Sequence, residues 1–148
     1  MFPRTALYLL LGFVLSGCLE PYKKKDAEDR KPLKNTAGDT AFQAFVGRLR
    51  KAVKNKDVPM IASLMTDDFG YTWDQSGPPS AQVFAYWDQN NLWPVLDELL
   101  SRKFSPNELY MVSPPELVSD PNYAGPRCGL RVVRGSWRLA YFLPQGQP

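Results

Sequence analysis

Large apolar side chains recur with a helical period in the part of the chain that follows residue 39. They follow the spacing i, i+3, i+4, i+7 and i+11, which places them on one face of a helix, at Phe42, Phe45, Val46, Leu49 and Val53. Thr40 and Gln43 have the spacing of a capping box at the start of this segment. The pattern therefore predicts an amphipathic helix that begins near residue 40 and ends near residue 55.

A second, shorter helix is predicted after Asp57, which is a candidate N-cap residue with Pro59 in the following turn. Its apolar side would be formed by Met60, Ile61, Leu64 and Met65. Aromatic residues then alternate with small ones over residues 69–73, a spacing typical of a strand, and the sequence Ser76-Gly77-Pro78-Pro79 ends it.

Two further helices are predicted between residues 80 and 100. Ser80 is a candidate cap for the first, and Asn91 for the second. Pro94 is compatible with a helix that starts at Asn91, because proline is tolerated in a first turn. Both segments carry apolar residues at helical spacing and would cover one side of a sheet.

The C-terminal part predicts that sheet, with strands near residues 109–112, 127–133 and 136–143 and a proline-rich loop over 113–126. If Arg134 and Gly135 form a two-residue turn, the hairpin register follows. It pairs three apolar positions on one face, Val132 with Trp137, Leu130 with Leu139 and Cys128 with Tyr141. On the other face Arg131 lies opposite Arg138, and these two arginines are expected to be solvated, paired with acids from elsewhere, or bound to an anion.

This order of elements resembles the nuclear transport factor two-like (cystatin-like) α+β superfamily. The sequence Lys56-Asp57, the segment 60–68 and the closing Gly135-Ser136-Trp137-Arg138-Leu139 resemble corresponding parts of such domains. The resemblance covers about residues 40–143. It implies an α+β fold with N-terminal helices packed on a curved antiparallel sheet, in a cone around a pocket. This scaffold serves small isomerases and hydrolases as well as noncatalytic binding and dimerisation, so fold alone does not assign a function.

The N-terminus has a different character, with Arg4 followed by an apolar run over residues 6–15 that is too short to span a bilayer. The sequence Leu15-Ser16-Gly17-Cys18 at its end resembles the lipobox of bacterial lipoproteins. The resemblance implies a signal peptide at 1–17 that is removed and a lipid on Cys18. A flexible charged linker is predicted over 18–39, and a single α+β domain over 40–148.

The same resemblance implies a cellular location. It implies a lipid-anchored protein of the bacterial cell envelope that contacts the membrane through the lipid on Cys18. If the cell has two membranes, Leu19 after the cysteine favours the outer membrane, with the domain facing the periplasm. A plain secretory signal and an uncleaved anchor remain as alternatives.

Composition excludes several function classes. The chain has 148 residues, with 18 basic and 15 acidic side chains, so no strong charge points to a nucleic acid partner. It contains no histidine and two cysteines, which argues against Cys-His and Ser-His-Asp catalysis and against a zinc site. With Cys18 lipidated, Cys128 has no partner for an internal disulfide. We therefore expect no metal and no cofactor.

Two functional hypotheses remain. The first is a noncatalytic domain that binds an envelope protein, a polymer or a small ligand, or forms a homodimer. Tyr and Trp suit surfaces that are apolar at one end and wet at the other, although most of the aromatic residues are expected to be core. The candidate surface residues are Trp73, Trp87, Trp93, Tyr123, Arg131 and Arg138, together with Tyr71 and Tyr86.

The alternative is a small acid/base enzyme of the isomerase or hydrolase type. A buried carboxylate beside a tyrosine hydroxyl can move a proton without histidine or metal. Asp74 with Tyr71, and Asp88 with Tyr86, are the candidate catalytic pairs, although carboxylates next to turns and helix ends are usually solvated.

Overall fold

A computed structural model of the chain describes residues 36–145. The predicted signal peptide, Cys18 and the linker up to residue 35 therefore lie outside the described residues. Helices and a six-stranded sheet make up the described part, as expected for an α+β domain. No helix within residues 36–145 has the length and apolar character needed to cross a bilayer.

The first helix, α1, spans Thr40–Lys54 and buries the apolar face that the sequence predicts. Its cap differs from the prediction. The Asp39 side chain accepts hydrogen bonds from the backbone N–H groups of Ala41 (2.7 Å) and Phe42 (3.4 Å). The capping box of Thr40 and Gln43 is therefore wrong, because the carboxylate one residue earlier already accepts the free amide protons. Gln43 instead donates its side-chain N–H to the carbonyl of Ala37.

Helix α2 spans Val58–Ser63 and begins, as predicted, at the Asp57 cap, whose carboxylate accepts from the N–H of Met60 at 3.2 Å. Ile61 is buried, but Met60 is 46% exposed and does not belong to an apolar face. The helix also ends before Met65, which opens strand β1 at Met65–Gly70.

Strand β1 is therefore earlier than the predicted strand over residues 69–73. After Gly70 the chain turns, with the N–H of Tyr71 bonded to the carbonyl of Gln75 at 3.2 Å. Thr72 donates its hydroxyl proton to Asp74 at 2.8 Å. Such local side-chain bonds compete with strand pairing, so the aromatic alternation continues into a turn. Strand β2, Ser76–Gly77, then pairs antiparallel with β1.

Helices α3, Ala81–Gln89, and α4, Trp93–Ser101, correspond to the predicted pair. Ser80 occupies the N-cap position of α3 but makes no capping hydrogen bond with its side chain. Asn91 is not the cap of α4, because it adopts a left-handed φ of 50° between the helices and the cap position falls to Leu92. Pro94 lies in the first turn of α4, as predicted.

The predicted strand near residues 109–112 is β4, Tyr110–Ser113. It pairs with β3, Ser105–Asn107, a short strand that sequence patterning does not indicate. Within the proline-rich loop the chain forms a single helical turn, α5, at Glu116–Ser119. Strands β5, Arg127–Val133, and β6, Ser136–Leu143, complete the sheet.

The strand order is β2-β1-β6-β5-β4-β3. All neighbours are antiparallel except β1 and β6, which run parallel. The sheet is thus mixed where a purely antiparallel one was expected. Strand β1 follows the short helix α2, and the N–H of Leu139 on β6 donates to the carbonyl of Leu64 just before β1, at 2.8 Å.

The β5–β6 hairpin confirms the predicted turn. Arg134 and Gly135 have φ values of 52° and 77°, as a two-residue turn of type I′ requires. The register is confirmed near this turn, where Val132 pairs with Trp137, Leu130 with Leu139 and Arg131 with Arg138.

Farther from the turn the predicted register is wrong. Cys128 pairs with Phe142, and Tyr141 pairs with Gly129. The register shifts between Gly129 and Leu130, so that Ala140 is the extra residue of a β-bulge. Phe142 thereby joins the core, while the Tyr141 ring lies on the other face of the sheet, directly over Gly129.

The core lies between the helices and one face of the sheet. Buried aromatic rings in edge-to-face contact fill its centre, with Trp87 touching Phe69, Phe84, Trp93 and Phe142 at centroid distances of 6.1, 5.3, 5.1 and 5.4 Å. We call the opposite face, which carries Arg131 and Arg138, the outer face of the sheet.

Candidate functional site

A cavity of about 610 Å³ opens on the outer face, next to the β5–β6 turn. We call it the arginine pocket. Its lining comes from the end of α2, from β1 and from both hairpin strands. The residues are Ala62, Ser63, Met65, Thr66, Asp67, Asp68, Arg131, Val133, Arg134, Ser136 and Arg138.

An irregularity in β1 brings acidic side chains to this pocket. Met65 pairs with Leu139 and Gly70 with Tyr141, so five steps along β1 correspond to two along β6. The residues between these pairs cannot keep regular strand spacing. Asp67 and Asp68 are consecutive and both exposed, and Asp68 reaches Arg131 on β5.

Arg131 and Asp68 form an ion pair across the mouth of the pocket. One guanidinium nitrogen, Nη2, lies 2.7 Å from Oδ1 and 2.9 Å from Oδ2 of the carboxylate. The Asp68 side chain is 64% exposed, whereas that of Arg131 is 28% exposed. Of the three outcomes expected for the arginine pair, pairing with an acid from elsewhere is thus confirmed for Arg131.

The ion pair shifts the titration of Asp68. Partial burial by itself would raise the pKa of this carboxyl. The neighbouring Thr66 hydroxyl and the Arg131 guanidinium together lower it by more, so the pKa of Asp68 lies below its ordinary value. The Thr66 hydroxyl lies close enough to Asp68 to lower this pKa, but it makes no hydrogen bond of regular geometry. Asp68 is therefore an anion at neutral pH and unsuited to act there as a general base with a raised pKa.

Arg138 has a different partner. It donates a hydrogen bond from Nη1 to the backbone carbonyl of Ser63, at the end of α2. Among the described residues it makes no ion pair with a carboxylate. A charged guanidinium bonded to a neutral carbonyl keeps its full charge, so Arg138 adds positive potential to the pocket.

Two buried polar atoms at the pocket have no hydrogen-bond partner in the described part of the chain. They are the hydroxyl oxygen of Thr66, a residue only 4% exposed, and Nε of Arg131. Leaving a buried donor or acceptor without a partner costs about 1–3 kcal/mol, and more for a charged group. The pocket therefore contains hydrogen-bonding groups that the described residues do not satisfy.

Two of the six aromatic candidates, Trp87 and Trp93, belong to the buried core, fewer than expected. Trp87 is 1% exposed and Trp93 is 5% exposed, and their rings contact each other. The indole N–H of Trp93 donates to Asp88 at 2.8 Å. Neither ring presents a recognition surface.

Three other aromatic candidates come together at a second cavity of about 290 Å³, lined by Tyr71, Trp73 and Tyr86 with the chain around Pro144. Trp73 is 44% exposed, and its indole N–H donates to the carbonyl of Gln145 at 3.2 Å. The sequence predicted Tyr71 and Trp73 on one strand and Tyr86 on a helix, and in the structure the turn after β1 places the first two at the cavity that Tyr86 also lines.

Beside this cavity Arg127 lies between two aromatic rings. Its guanidinium is 5.1 Å from the ring centroid of Trp73 and 5.3 Å from that of Tyr123. The Tyr123 hydroxyl donates to the carbonyl of Pro126 at 2.7 Å. Burial raises the pKa of Tyr123 more than the nearby Arg102 and Arg127 lower it, so this phenol stays protonated.

Both candidate catalytic aspartates lie at the surface. Asp74 is exposed and accepts the Thr72 hydroxyl. Asp88 accepts a hydrogen bond from Lys56 at 3.1 Å as well as the one from Trp93. These two bonds lower the pKa of Asp88, Lys56 having the larger effect. Asp88 therefore links helices, and it does not share the cavity that Tyr86 lines.

Cys128 is fully buried in the core, and burial raises the pKa of its thiol to about 12. A thiol with so high a pKa holds almost no thiolate at neutral pH and is a poor nucleophile. No group of three or more Cys, Asp and Glu side chains within residues 36–145 is arranged to hold a metal ion.

Fold and site together define an α+β protein with a mixed six-stranded sheet, an aromatic core and an arginine-lined pocket on the outer face. No protein-family model and no curated protein sequence matches the chain. One solved structure that resembles it is an NTF2-like protein of unknown function from Pseudomonas putida KT2440. It is 18% identical, the match covers 77% of this chain and 89% of that chain, and the TM-score is 0.36. Similarity of this degree assigns neither a family nor a function.

Proposed function

We propose that this chain is a lipid-anchored protein of the bacterial cell envelope whose α+β domain binds a ligand or partner without catalysis. The anchor is the lipid on Cys18, and the domain follows a flexible charged linker. In this proposal the fold is a cone of the nuclear transport factor two-like type. The partner is an envelope protein, a polymer, a small ligand or a second copy of the chain.

The filled interior of the domain is the observation that carries the noncatalytic part of the proposal. Phe42 and Phe142 are fully buried there, and Trp87 is nearly so. Catalysis in a cone would need an open space lined by a partnered carboxylate. A filled interior instead leaves the outer face and the cavity lined by Tyr71, Trp73 and Tyr86 as the places where a ligand can bind.

The lipobox sequence supports the anchor. Buried acyl chains contribute about 0.8 kcal/mol per methylene, and stable anchoring takes more than one chain. A lipidated cysteine that carries two or three chains meets this condition. With Leu19 next to the lipidated residue, the outer membrane is the proposed location in a cell that has two membranes, and the domain would face the periplasm.

The enzyme hypothesis gains no specific support from the described residues. Asp74 and Asp88 are solvated, and each accepts hydrogen bonds from neighbours that fix it at the surface. We therefore keep noncatalytic binding as the proposed function.

Metabolic labelling with a fatty acid tests the anchor. Bacterial cells that express the full chain are expected to label it, and Cys18→Ser should abolish both the label and membrane association. Cys128→Ser is the matched control, because it removes the other cysteine and should leave the label intact. Equal labelling of wild type and Cys18→Ser would contradict the proposal.

A further inference from the structure

Two arginines from neighbouring strands meet in the arginine pocket. Arg131 and Arg138 are direct cross-strand partners in the antiparallel β5–β6 pair, and both line the cavity. Like charges at directly opposed positions destabilise a strand pair. Of these two arginines, only Arg131 forms an ion pair with a carboxylate in the described part of the chain. Asp67 also lines the pocket, but within residues 36–145 it forms no ion pair with Arg138, so this guanidinium has no bonded carboxylate.

The pocket also holds polar groups that the domain leaves unsatisfied. Thr66 lines it and is only 4% exposed, and its hydroxyl has no hydrogen-bond partner among the described residues. Nε of Arg131 is equally buried and unpartnered. A ligand oxygen that accepts from these groups would supply the missing bonds, and charge-assisted bonds of this kind are about twice as strong as neutral ones.

The Asp68 carboxylate occupies the position at Arg131 that the anionic group of such a ligand would take. Its carboxylate already lies on Nη2 of Arg131, with both oxygens within 2.9 Å. Yet its side chain is 64% exposed, so it can leave the guanidinium without disturbing the core. The carboxylate thus acts as an internal anion at the mouth of the pocket.

We propose that the arginine pocket binds an oxyanion, a carboxylate or phosphate group, through Arg131, Arg138 and Thr66, in competition with Asp68. This inference rests on the proposed noncatalytic binding function and names its ligand class. A volume of about 610 Å³ lies within the range of small-molecule sites, so a small acid or the anionic group of a larger molecule fits.

Nuclear magnetic resonance of the purified full chain in a nonionic detergent can detect this binding directly. The reporters are the Nε–H signal of Arg131, assigned by its loss in Arg131→Gln, and the backbone N–H of Thr66. The probes are acetate, inorganic phosphate and glycerol 3-phosphate, each titrated at constant ionic strength against sodium chloride. Tighter binding of glycerol 3-phosphate than of the other two indicates a lipid headgroup, and equal binding indicates a free anion.

The variants should act in opposite directions. Arg138→Gln and Arg131→Gln are expected to weaken binding about tenfold or more, because each removes a charged donor. Asp68→Asn is expected to tighten it about tenfold, since it removes the competing charge with little change of shape. Arg50→Gln is the matched control, because Arg50 also pairs with an aspartate, Asp97 at 2.7 Å, away from the pocket. It should leave the affinity within about twofold.

Two results would overturn the inference. Signal changes that sodium chloride reproduces at equal ionic strength would show that there is no oxyanion site. Unchanged or weaker binding in Asp68→Asn, which keeps both arginines, would refute competition even if an arginine variant failed to fold. The fatty-acid labelling is independent of these outcomes, so failure of the anchor and failure of the pocket are distinguishable.

Discussion

Gly129 is the position where a single added methyl group should have the largest effect on the sheet. The ring of Tyr141 lies directly over it, and a Cβ atom at residue 129 would meet Cζ and Oη of that ring at 2.5 and 2.8 Å. Carbon atoms are in normal contact at about 3.5–4.0 Å. In Gly129→Ala the ring must therefore move by roughly 1 Å or more.

The Tyr141 ring cannot move without losing packing contacts. It contacts Tyr110 at a centroid distance of 5.6 Å, and burial raises the pKa of Tyr141 well above its usual range. Forcing an extra methyl group into a packed site costs about 1–3 kcal/mol. We expect Gly129→Ala to lower the free energy of unfolding by that amount. Gly77→Ala, at a strand glycine whose Cβ would meet no heavy atom within 4 Å, should change it little.

A double-mutant cycle isolates the cause. In Tyr141→Ala the ring is absent, so adding Gly129→Ala should then cost little, and the coupling between the two positions should exceed about 1 kcal/mol. Urea unfolding followed by tryptophan fluorescence measures all four proteins. A coupling within about 0.5 kcal/mol of zero would refute the reasoning, because the cost would then arise from the strand backbone and not from the ring.

Four further outcomes are expected. Trp87→Ala should destabilise the domain by about 3–5 kcal/mol in urea unfolding, since it empties the centre of the aromatic core. Asp39→Ala should cost about 0.5–2 kcal/mol by the same assay, whereas Thr40→Ala should cost less, because Asp39 is the cap of α1. In a Cys18→Ser background, Cys128 should resist thiol reagents at pH 8 in the folded protein and react with them once the protein is unfolded in urea. The reason is that burial raises the pKa of this thiol to about 12. Rapid labelling of the folded protein would contradict the burial of Cys128. The pKa of Asp68 in the folded protein is lowered from 3.8. The Asp68 carboxylate therefore contributes fully to stability above pH 3.8, and this contribution is lost as the pH falls through the folded-state pKa. Between pH 5 and pH 2, Asp68→Asn should lose less stability than wild type in urea unfolding.

Features set by neighbouring residues were predictable from the sequence. The apolar face of α1, the Asp57 cap and the Arg134-Gly135 turn depend on a few adjacent positions. Because that turn determines the nearest strand pairs, the opposition of Arg131 and Arg138 followed from it. The two arginines of the candidate site were thus predictable from local sequence rules alone.

The other half depends on contacts between distant parts of the chain. The bulge at Ala140 rotates Tyr141 and Phe142 relative to a regular register, and no local signal marks it. Thr66 and Asp68 join the pocket only because β1 lies parallel to β6 with an irregular register. A signal did exist, since two consecutive aspartates between Met65 and Phe69 break the alternation of a strand, and such a break indicates a bulge.

The irregular part of strand β1 offsets part of the positive charge of the Arg131–Arg138 pair. Two guanidinium groups on adjacent strands repel, and the aspartate that the irregular β1 strand carries to Arg131 offsets one of them. The compensation stops there, because Arg138 donates to the neutral carbonyl of Ser63 and the Thr66 hydroxyl stays unsatisfied. Asp67 also lines this pocket, but among the described residues it forms no ion pair with Arg138. A guanidinium without a bonded carboxylate, beside a cavity with room for a small molecule, is the reason to look there for an anionic ligand.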